Sequence, residues 1–136
     1  MKTISAIITL RGGLAKLQAN EGIHVENKPF MPLVIVHVGT GPHRRTLISV
    51  AHTCVENGDT VYDPEMEFEI IDDPQRGMQF SPVSWRQRDD AQTAVWTDDH
   101  NQLRINARIG RDLQTFARQW DKKLIAQGFL IAARRG

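Results

Sequence analysis

The sequence predicts an α+β fold of two layers, in which an antiparallel sheet of three to five strands carries an N-terminal and a C-terminal helix on one face. Three observations predict this class. Apolar residues recur at helical spacing near both ends of the chain, β-branched and alternating segments fill the middle, and turn-forming residues separate these segments. With 136 residues, of which 40% are hydrophobic and 24% charged, the chain has the size and composition of one domain spanning residues 1–136.

The N-terminal helix is expected within residues 1–22. Its apolar residues recur at intervals of three and four and share one helical face: Ile4, Ile7, Ile8, Leu10, Leu14 and Leu17. Thr3 is a candidate N-cap. Gly12 and Gly13 lie in the middle of this segment and favour a break or kink, because each glycine costs about 1 kcal/mol relative to alanine in a helix interior.

The antiparallel sheet is expected within residues 30–97. Residues 33–38 are a β-branched run that predicts a first strand, and residues 45–55 predict a second strand. The short connection between them favours a hairpin. Residues 80–85 predict a short extended segment, and residues 94–97 predict a fourth strand.

Residues 65–71 show the clearest alternation in the chain and predict the third strand. Met66, Phe68 and Ile70 fall on one face of this strand, and the carboxylates of Glu65, Glu67 and Glu69 fall on the other. Turns are expected before and after it, at Asn57-Gly58-Asp59, at Asp63-Pro64 and over residues 72–77.

The C-terminal helix is expected over residues 106–128. Its apolar residues again share one face: Ile109, Leu113, Phe116, Ala117, Trp120, Leu124 and Ile125. Asn106 is a candidate N-cap, and Gly128 stands where a glycine C-cap belongs. Residues 131–136 are expected to form a frayed tail.

Composition and motifs exclude several classes of protein. No apolar run is long enough to span a membrane, and the single Cys54 cannot form an internal disulfide, so a cytoplasmic protein without a membrane partner is expected. The chain contains no dinucleotide-binding, phosphate-loop, zinc-protease or hydrolase motif. No catalytic residue, metal or cofactor is therefore predicted from motifs.

The net charge of +1 conceals a strong segregation of charge. Residues 1–55 carry +4, residues 56–99 carry −9 and residues 100–136 carry +6. Such asymmetry is typical of a protein that binds a partner electrostatically. The alternative is that the acidic and basic segments neutralise one another within the fold.

An acidic cluster between His52 and Glu69 suggests a metal-dependent hydrolase or nuclease as one alternative. Its centre would be formed by His52, Asp59, Asp63 and Glu65, because imidazole and carboxylates are the common ligands of divalent cations. The spacing disfavours this interpretation. Carboxylates at alternate positions of a strand are about 7 Å apart, too far to hold one ion together.

His52 follows Ile48 and Val50 at alternate positions of the second strand, so it is expected on their apolar face. A buried imidazole needs a hydrogen-bond partner, and Asp59 or Asp63 across the hairpin is expected to supply one. This pattern favours a structural histidine over a binding-site residue.

Nucleic-acid binding by the C-terminal helix is a second alternative. Arg111, Arg118, Lys122 and Lys123 are candidates for phosphate contacts, and Trp85 is a candidate for base stacking. The sequence pI of about 8.0 lies below the value above 9 that is typical of dedicated nucleic-acid-binding domains. This function is possible but not favoured.

A longer motif connects these residues to a family. The motif consists of His52, Asn57-Gly58-Asp59, Asp63-Pro64-Glu65-Met66 and Phe68, followed by Phe80-Ser81-Pro82-Val83-Ser84-Trp85 and Asp89. Over about residues 45–97 the chain resembles an uncharacterised domain family of bacterial plasmids, phages and integrative elements. The resemblance implies an accessory gene of mobile DNA and no assigned activity.

These observations favour a non-enzymatic protein that acts by contact with an unknown host or element-encoded protein, as an inhibitor or modulator of a host system. The expected contact surface is the acidic sheet face of Glu65, Glu67 and Glu69. The motif residues His52, Asn57, Asp59, Asp63, Trp85 and Asp89 are further binding candidates. The oligomeric state and the order of the strands are left open by the sequence.

Overall fold

The computed structural model describes residues 1–136 and has the predicted α+β content. Four helices accompany a six-stranded antiparallel sheet and a separate two-stranded sheet. The helices are α1 (Lys2–Leu10), α2 (Leu14–Ala19), α3 (Ala107–Ala126) and α4 (Phe129–Arg135). The strands are β1 (Ile23–Val25), β2 (Leu33–Thr40), β3 (Thr46–Glu56), β4 (Asp59–Asp73), β5 (Gly77–Gln87), β6 (Asp90–Thr93), β7 (Val95–Thr97) and β8 (Leu103–Ile105).

The large sheet is a meander in which strands β1 to β6 lie side by side in chain order. Six strands exceed the three to five that the sequence predicts, because the edge strand β1 has only three residues and the edge strand β6 is fully exposed and has no hydrophobic alternation. The fourth strand expected at residues 94–97 is also placed differently. Its residues form β7, which pairs with β8 outside the large sheet.

The register of β3 and β4 confirms the predicted alternation. Ile48 pairs with Phe68 and Val50 pairs with Met66, and all four side chains are fully buried. The intervening pair of Ser49 and Glu67 points to the opposite face of the sheet.

The turn expected at Asp63-Pro64 does not form. These two residues continue β4 and form a β-bulge, because together they oppose the single residue His52 of β3. The bulge lies between the Ala51–Glu65 and Thr53–Tyr62 pairs. The Asp63–Pro64 peptide bond is cis. Proline lacks the N–H that the ladder requires, and a bulge is one of the places where a strand accommodates it.

The N-terminal segment forms two helices instead of one. The chain breaks at Gly12 and Gly13, whose φ values of 106° and 91° are outside the helical region. Thr3 is not the N-cap, because the first helical residue is Lys2. Instead, the backbone N–H of Thr3 donates to Asp121 of α3 at 2.9 Å, so a carboxylate from another helix satisfies the first turn of α1.

The C-terminal helix has the predicted N-cap, since the Asn106 side chain accepts a hydrogen bond from the Ile109 N–H at 3.1 Å. The expected frayed tail is instead a fourth helix. Gly128, with φ of 85°, reverses the chain after α3, and α4 then buries Phe129 and Ala133. None of the four helices has the length and apolar character that crossing a membrane requires.

One hydrophobic core joins the four helices to one face of the large sheet. The helices contribute Ile7, Leu17, Leu124 and Phe129, among others, and the sheet contributes side chains such as Phe68. The helices thus pack on the sheet face that carries the apolar residues of β2, β3 and β4. No helix residue of the core packs on the other face, which carries Val34, Val36 and the β4 carboxylates.

We expect Phe129→Ala to lower the free energy of unfolding by about 3–5 kcal/mol, because a fully buried ring would leave a cavity. Ile131→Ala on the same helix is the control, since Ile131 is 54% exposed, and its cost should stay below about 0.5 kcal/mol. Urea unfolding followed by circular dichroism measures both values. Equal costs for the two variants would show that α4 is not part of the core.

Candidate functional site

The motif residues predicted from the sequence separate into three places. His52 and Asp63 line a cleft between the sheet and α3, whereas Glu65, Glu67 and Glu69 lie on the opposite face of the sheet. Asn57, Asp59 and Asp89 are exposed at the ends of the β3–β4 and β5–β6 hairpins. The structure contains no group of three His, Cys, Asp or Glu side chains arranged to hold a metal ion. The residues proposed for a metal centre are therefore not brought to a common point.

His52 lies on the helix side of β3, in phase with Ile48 and Val50 as the sequence predicts, and it is 8% exposed. The predicted hydrogen bond to Asp59 or Asp63 is not present. Its Nδ1 instead donates to the Met31 carbonyl oxygen at 3.1 Å, with the Pro32 carbonyl oxygen at 3.4 Å.

These contacts define the protonation of the His52 ring. Because a carbonyl oxygen only accepts hydrogen bonds, Nδ1 carries the proton. Burial lowers the pKa of His52 below its ordinary value, and this effect exceeds the raising effects of the Pro32 and Met31 carbonyls and of the Asp63 charge. The ring is therefore neutral at pH 7. Its Nε2 has a free lone pair and no hydrogen-bond partner within the protein.

The cleft beside His52 has a volume of about 330 Å³. Its apolar walls include Phe30, Phe116 and Trp120, and its polar lining includes Asp63, Lys123 and three glutamines, Gln87, Gln119 and Gln127. The His52 ring packs against the rings of Trp120 and Phe129, at centroid distances of 5.6 and 5.2 Å. Aromatic walls with a few convergent polar groups are typical of a small-molecule site.

Asp63 is held in place by β5 and by the turn after it. One carboxylate oxygen accepts from Gln87 Nε2 at 2.7 Å, and the other accepts from Arg88 Nε at 2.8 Å. Arg88 also contacts both carboxylate oxygens of Glu56. The bulge of β4 is thereby attached to the β5–β6 hairpin, and Asp63 and Glu56 share the positive charge of Arg88.

The three glutamates of the predicted acidic row have different environments. Glu65 accepts from Ser49 Oγ and from Arg86 Nε, both at 2.6 Å, so its charge is neutralised within the sheet. Glu67 accepts only from Ser84 Oγ at 2.8 Å and has no cationic partner. The negative charge of Glu67 is therefore not paired with a cation of the protein, unlike that of Glu65.

Glu69 is fully buried, contrary to the expectation of a solvent-facing carboxylate. It accepts hydrogen bonds from the backbone N–H groups of His43 and Arg45 and from His43 Nδ1, at 3.0, 3.3 and 2.7 Å. Gly41 packs so closely against its side chain that a Cβ at this position would overlap it. Glu69 therefore holds the β2–β3 loop and has a structural role.

The uncovered face of the large sheet is formed by the side chains that point away from the helices. It contains a shallow groove of about 340 Å³ lined by Val34, Val36, Val38, Ser49, Ala51, Thr53, Thr60, Tyr62 and Glu65. Arg86 lies over the Tyr62 ring, with 3.8 Å between the guanidinium carbon and the ring centroid. This face thus combines an apolar strip with carboxylates at its side.

Trp85 lies on the helix side of β5 and packs against Phe116 of α3, with 5.8 Å between the ring centroids. It is half-buried, and its Nε1 atom is buried without a hydrogen-bond partner. This location does not present the Trp85 ring for base stacking.

The basic residues of α3 fall into two groups. Arg111, Arg118 and Lys122 lie along one exposed side of the helix, and none of them is in an ion pair. Lys123 lies about 100° further round the helix and lines the cleft.

The sequence motifs include His52, Asp63 and Lys123 for different reasons, but they do not include the aromatic walls of the cleft. Phe30 and Phe116 are distant in sequence from His52, and no local pattern joins them to it.

We expect His52 to titrate below the ordinary histidine pKa of about 6.5, because burial disfavours the charged imidazolium. The unfolded chain then binds more protons than the folded chain as the pH falls through about 6.5, so the free energy of unfolding decreases there. NMR titration of the imidazole signals measures the pKa. The variant His52→Gln, which does not titrate, should lose this part of the pH dependence, and a His52 pKa at or above about 6.5 would contradict the assignment.

Comparison of the sequence with known protein families gives one matching family. No curated protein matches the chain, and no solved structure matches it. The sequence model of the domain of unknown function DUF6908 matches residues 2–130, which include the cleft lining, the uncovered sheet face and the first two residues of α4. The match extends well beyond the residues 45–97 that carry the motif. The chain therefore belongs to the DUF6908 family of domains of unknown function.

Proposed function

We propose that this protein is a non-enzymatic accessory protein of a mobile genetic element and acts by binding a host or element-encoded protein. The observation that carries the proposal is the one-sided packing of the sheet. The helices bury the face that carries Ile35, Val50 and Phe68, and the opposite face presents the groove of Val34, Val36 and other residues to solvent. An apolar strip bordered by charged residues is typical of a protein interface.

The charges at the border indicate the chemistry of the partner. Glu67 has no cationic partner, and Glu65 shares its charge with Arg86. A partner surface with apolar side chains for the valine groove and a lysine or arginine opposite Glu67 would complement both features. Binding of this kind would make the protein an inhibitor or modulator of the system to which its partner belongs.

The buried position of Glu69 determines how the proposal is tested. Substitution of all three glutamates would release the β2–β3 loop, so a loss of binding would only report misfolding. Two single substitutions avoid this problem. Val36→Lys places a charge in the groove, and Glu67→Lys reverses the free carboxylate.

We expect Val36→Lys and Glu67→Lys each to reduce the amount of partner captured from a bacterial lysate by about tenfold or more, because the apolar contact and the charge complementarity are lost. Asp112→Lys is the matched control, since it makes the same charge reversal as Glu67→Lys on exposed α3, on the helix side of the sheet. Quantitative mass spectrometry of the captured proteins measures the effect. Identical partner lists for the wild type and the two sheet variants would refute the proposal.

Nucleic-acid binding by α3 is a second candidate. The observation that favours it is the row of Arg111, Arg118 and Lys122 on one exposed side of the helix, without ion pairs. Cations arranged in this way can each contact a phosphate group. The free carboxylates of the sheet lie on the other side of the molecule and do not oppose such a contact.

If α3 binds DNA, replacing Arg111, Arg118 and Lys122 with glutamine should reduce the slope of log K against log salt by about one unit per side chain. Fluorescence anisotropy of a labelled duplex at several salt concentrations measures this slope. The control removes three charges elsewhere, through Lys16→Gln, Arg134→Gln and Arg135→Gln. The same slope for both triple variants, or no binding at low salt, would remove this candidate.

A further inference from the structure

The cleft beside His52 is formed where the regular sheet is interrupted. The bulge at Asp63 and Pro64 opposes His52, and α3 and the segment before β2 close the space above it. Phe30, Phe116 and Trp120 provide aromatic walls from these separate segments. A volume of about 330 Å³ is at the lower end of the range of ligand sites and suits a molecule with a single ring.

Two polar atoms of the lining residues have no hydrogen-bond partner in the protein, and one of them, Trp120 Nε1, is buried. His52 Nε2 has a free lone pair, since Nδ1 already donates to the Met31 carbonyl. Trp120 is 95% buried, and its Nε1–H donates to no protein atom. A ligand that donates to His52 Nε2 therefore forms a hydrogen bond that no protein atom supplies.

The one charged group of the cleft lining that has no ion-pair partner is positive. Both oxygens of Asp63 already accept hydrogen bonds from Gln87 and Arg88, and Asp63 is ion-paired with Arg88, which it shares with Glu56. Lys123 is the remaining charged residue of the lining, and its ammonium group is in no ion pair. An anion can therefore pair with Lys123, whereas a cation would meet Asp63 oxygens that already accept hydrogen bonds.

From these three features we propose that the cleft binds a small aromatic carboxylate that bears a hydroxyl or N–H donor on its ring. The ring lies between the aromatic walls, the carboxylate pairs with Lys123, and the donor bonds to His52 Nε2. This site is on the helix side of the sheet, so it is independent of the protein contact proposed for the uncovered face.

The test uses 4-hydroxybenzoate as the probe and the whole protein labelled with nitrogen-15. We expect binding with a Kd on the order of 0.1–1 mM, which is ordinary for a ligand of about ten heavy atoms. The indole signal of Trp120 and the imidazole signals of His52 should shift in NMR spectra. The indole signal of Trp96, which is 40% exposed and outside the cleft, is the internal control and should stay in place.

Matched ligands and variants separate the two polar contacts. Benzoate lacks the donor, and 4-hydroxybenzamide lacks the charge, so each should bind at least about threefold more weakly. Lys123→Gln should weaken 4-hydroxybenzoate binding by about five- to tenfold and leave 4-hydroxybenzamide unaffected. Lys122→Gln removes the same charge from the neighbouring residue outside the cleft, and it should leave both ligands unaffected.

Any of three results would overturn the proposal. The first is the absence of Trp120 and His52 shifts with about 5 mM 4-hydroxybenzoate, a concentration several times a millimolar Kd. The second is equal loss of binding in Lys123→Gln and Lys122→Gln, which would indicate a nonspecific charge effect. The third is equal binding of all three ligands, which would show that neither His52 nor Lys123 recognises its assigned group.

Discussion

A slip of β4 by one residue against β3 would place Glu65, Glu67 and Glu69 beneath the helices and expose Met66, Phe68 and Ile70 to water. Burying unpaired carboxylates is far more costly than any single contact of the fold, so this register is strongly selected. The register also determines which sheet face α1, α3 and α4 cover. The uncovered face, the buried Glu69 and the position of the cleft all follow from the same pairing.

The bulge at Asp63 and Pro64 modifies this register at one point. Proline cannot contribute an N–H to the ladder, and the extra residue shifts the alternation of β4 by one position, so that Tyr62 and Glu65 both lie on the uncovered face. Opposite the bulge, His52 has no paired residue on β4, and its side chain lies in the space beneath α3. One local irregularity therefore creates the cleft and also gives the motif residues His52, Asp63 and Pro64 a common location.

The negative charge of residues 56–99 is partly neutralised by arginines of the same segment. Arg86 pairs with Glu65, and Arg88 pairs with Glu56 and Asp63, so these cations belong to the acidic segment itself. The ion pair of Arg104 with Asp98 connects this acidic segment to the basic C-terminal part of the chain. The exposed cations of α3 form no ion pair with the sheet. The charge segregation visible in the sequence thus persists in the folded molecule, and the carboxylate of Glu67 is one of the groups that remain free.

The sequence by itself determined the α+β class, the extent of α3, its Asn106 cap and the two faces of β4, because periodicity and capping depend on neighbouring residues. It also placed His52 correctly on the apolar face of β3. The strands β1, β6 and β8, the helix α4 and the hydrogen-bond partners of His52 and Glu69 were decided by the tertiary structure alone. Each of these depends on residues distant in the chain: Phe129 packs against the rings of Phe30 and His52, and Glu69 is paired by the loop at His43. Local patterns carry no information about such contacts, so the cleft could be recognised only after the chain had folded around it.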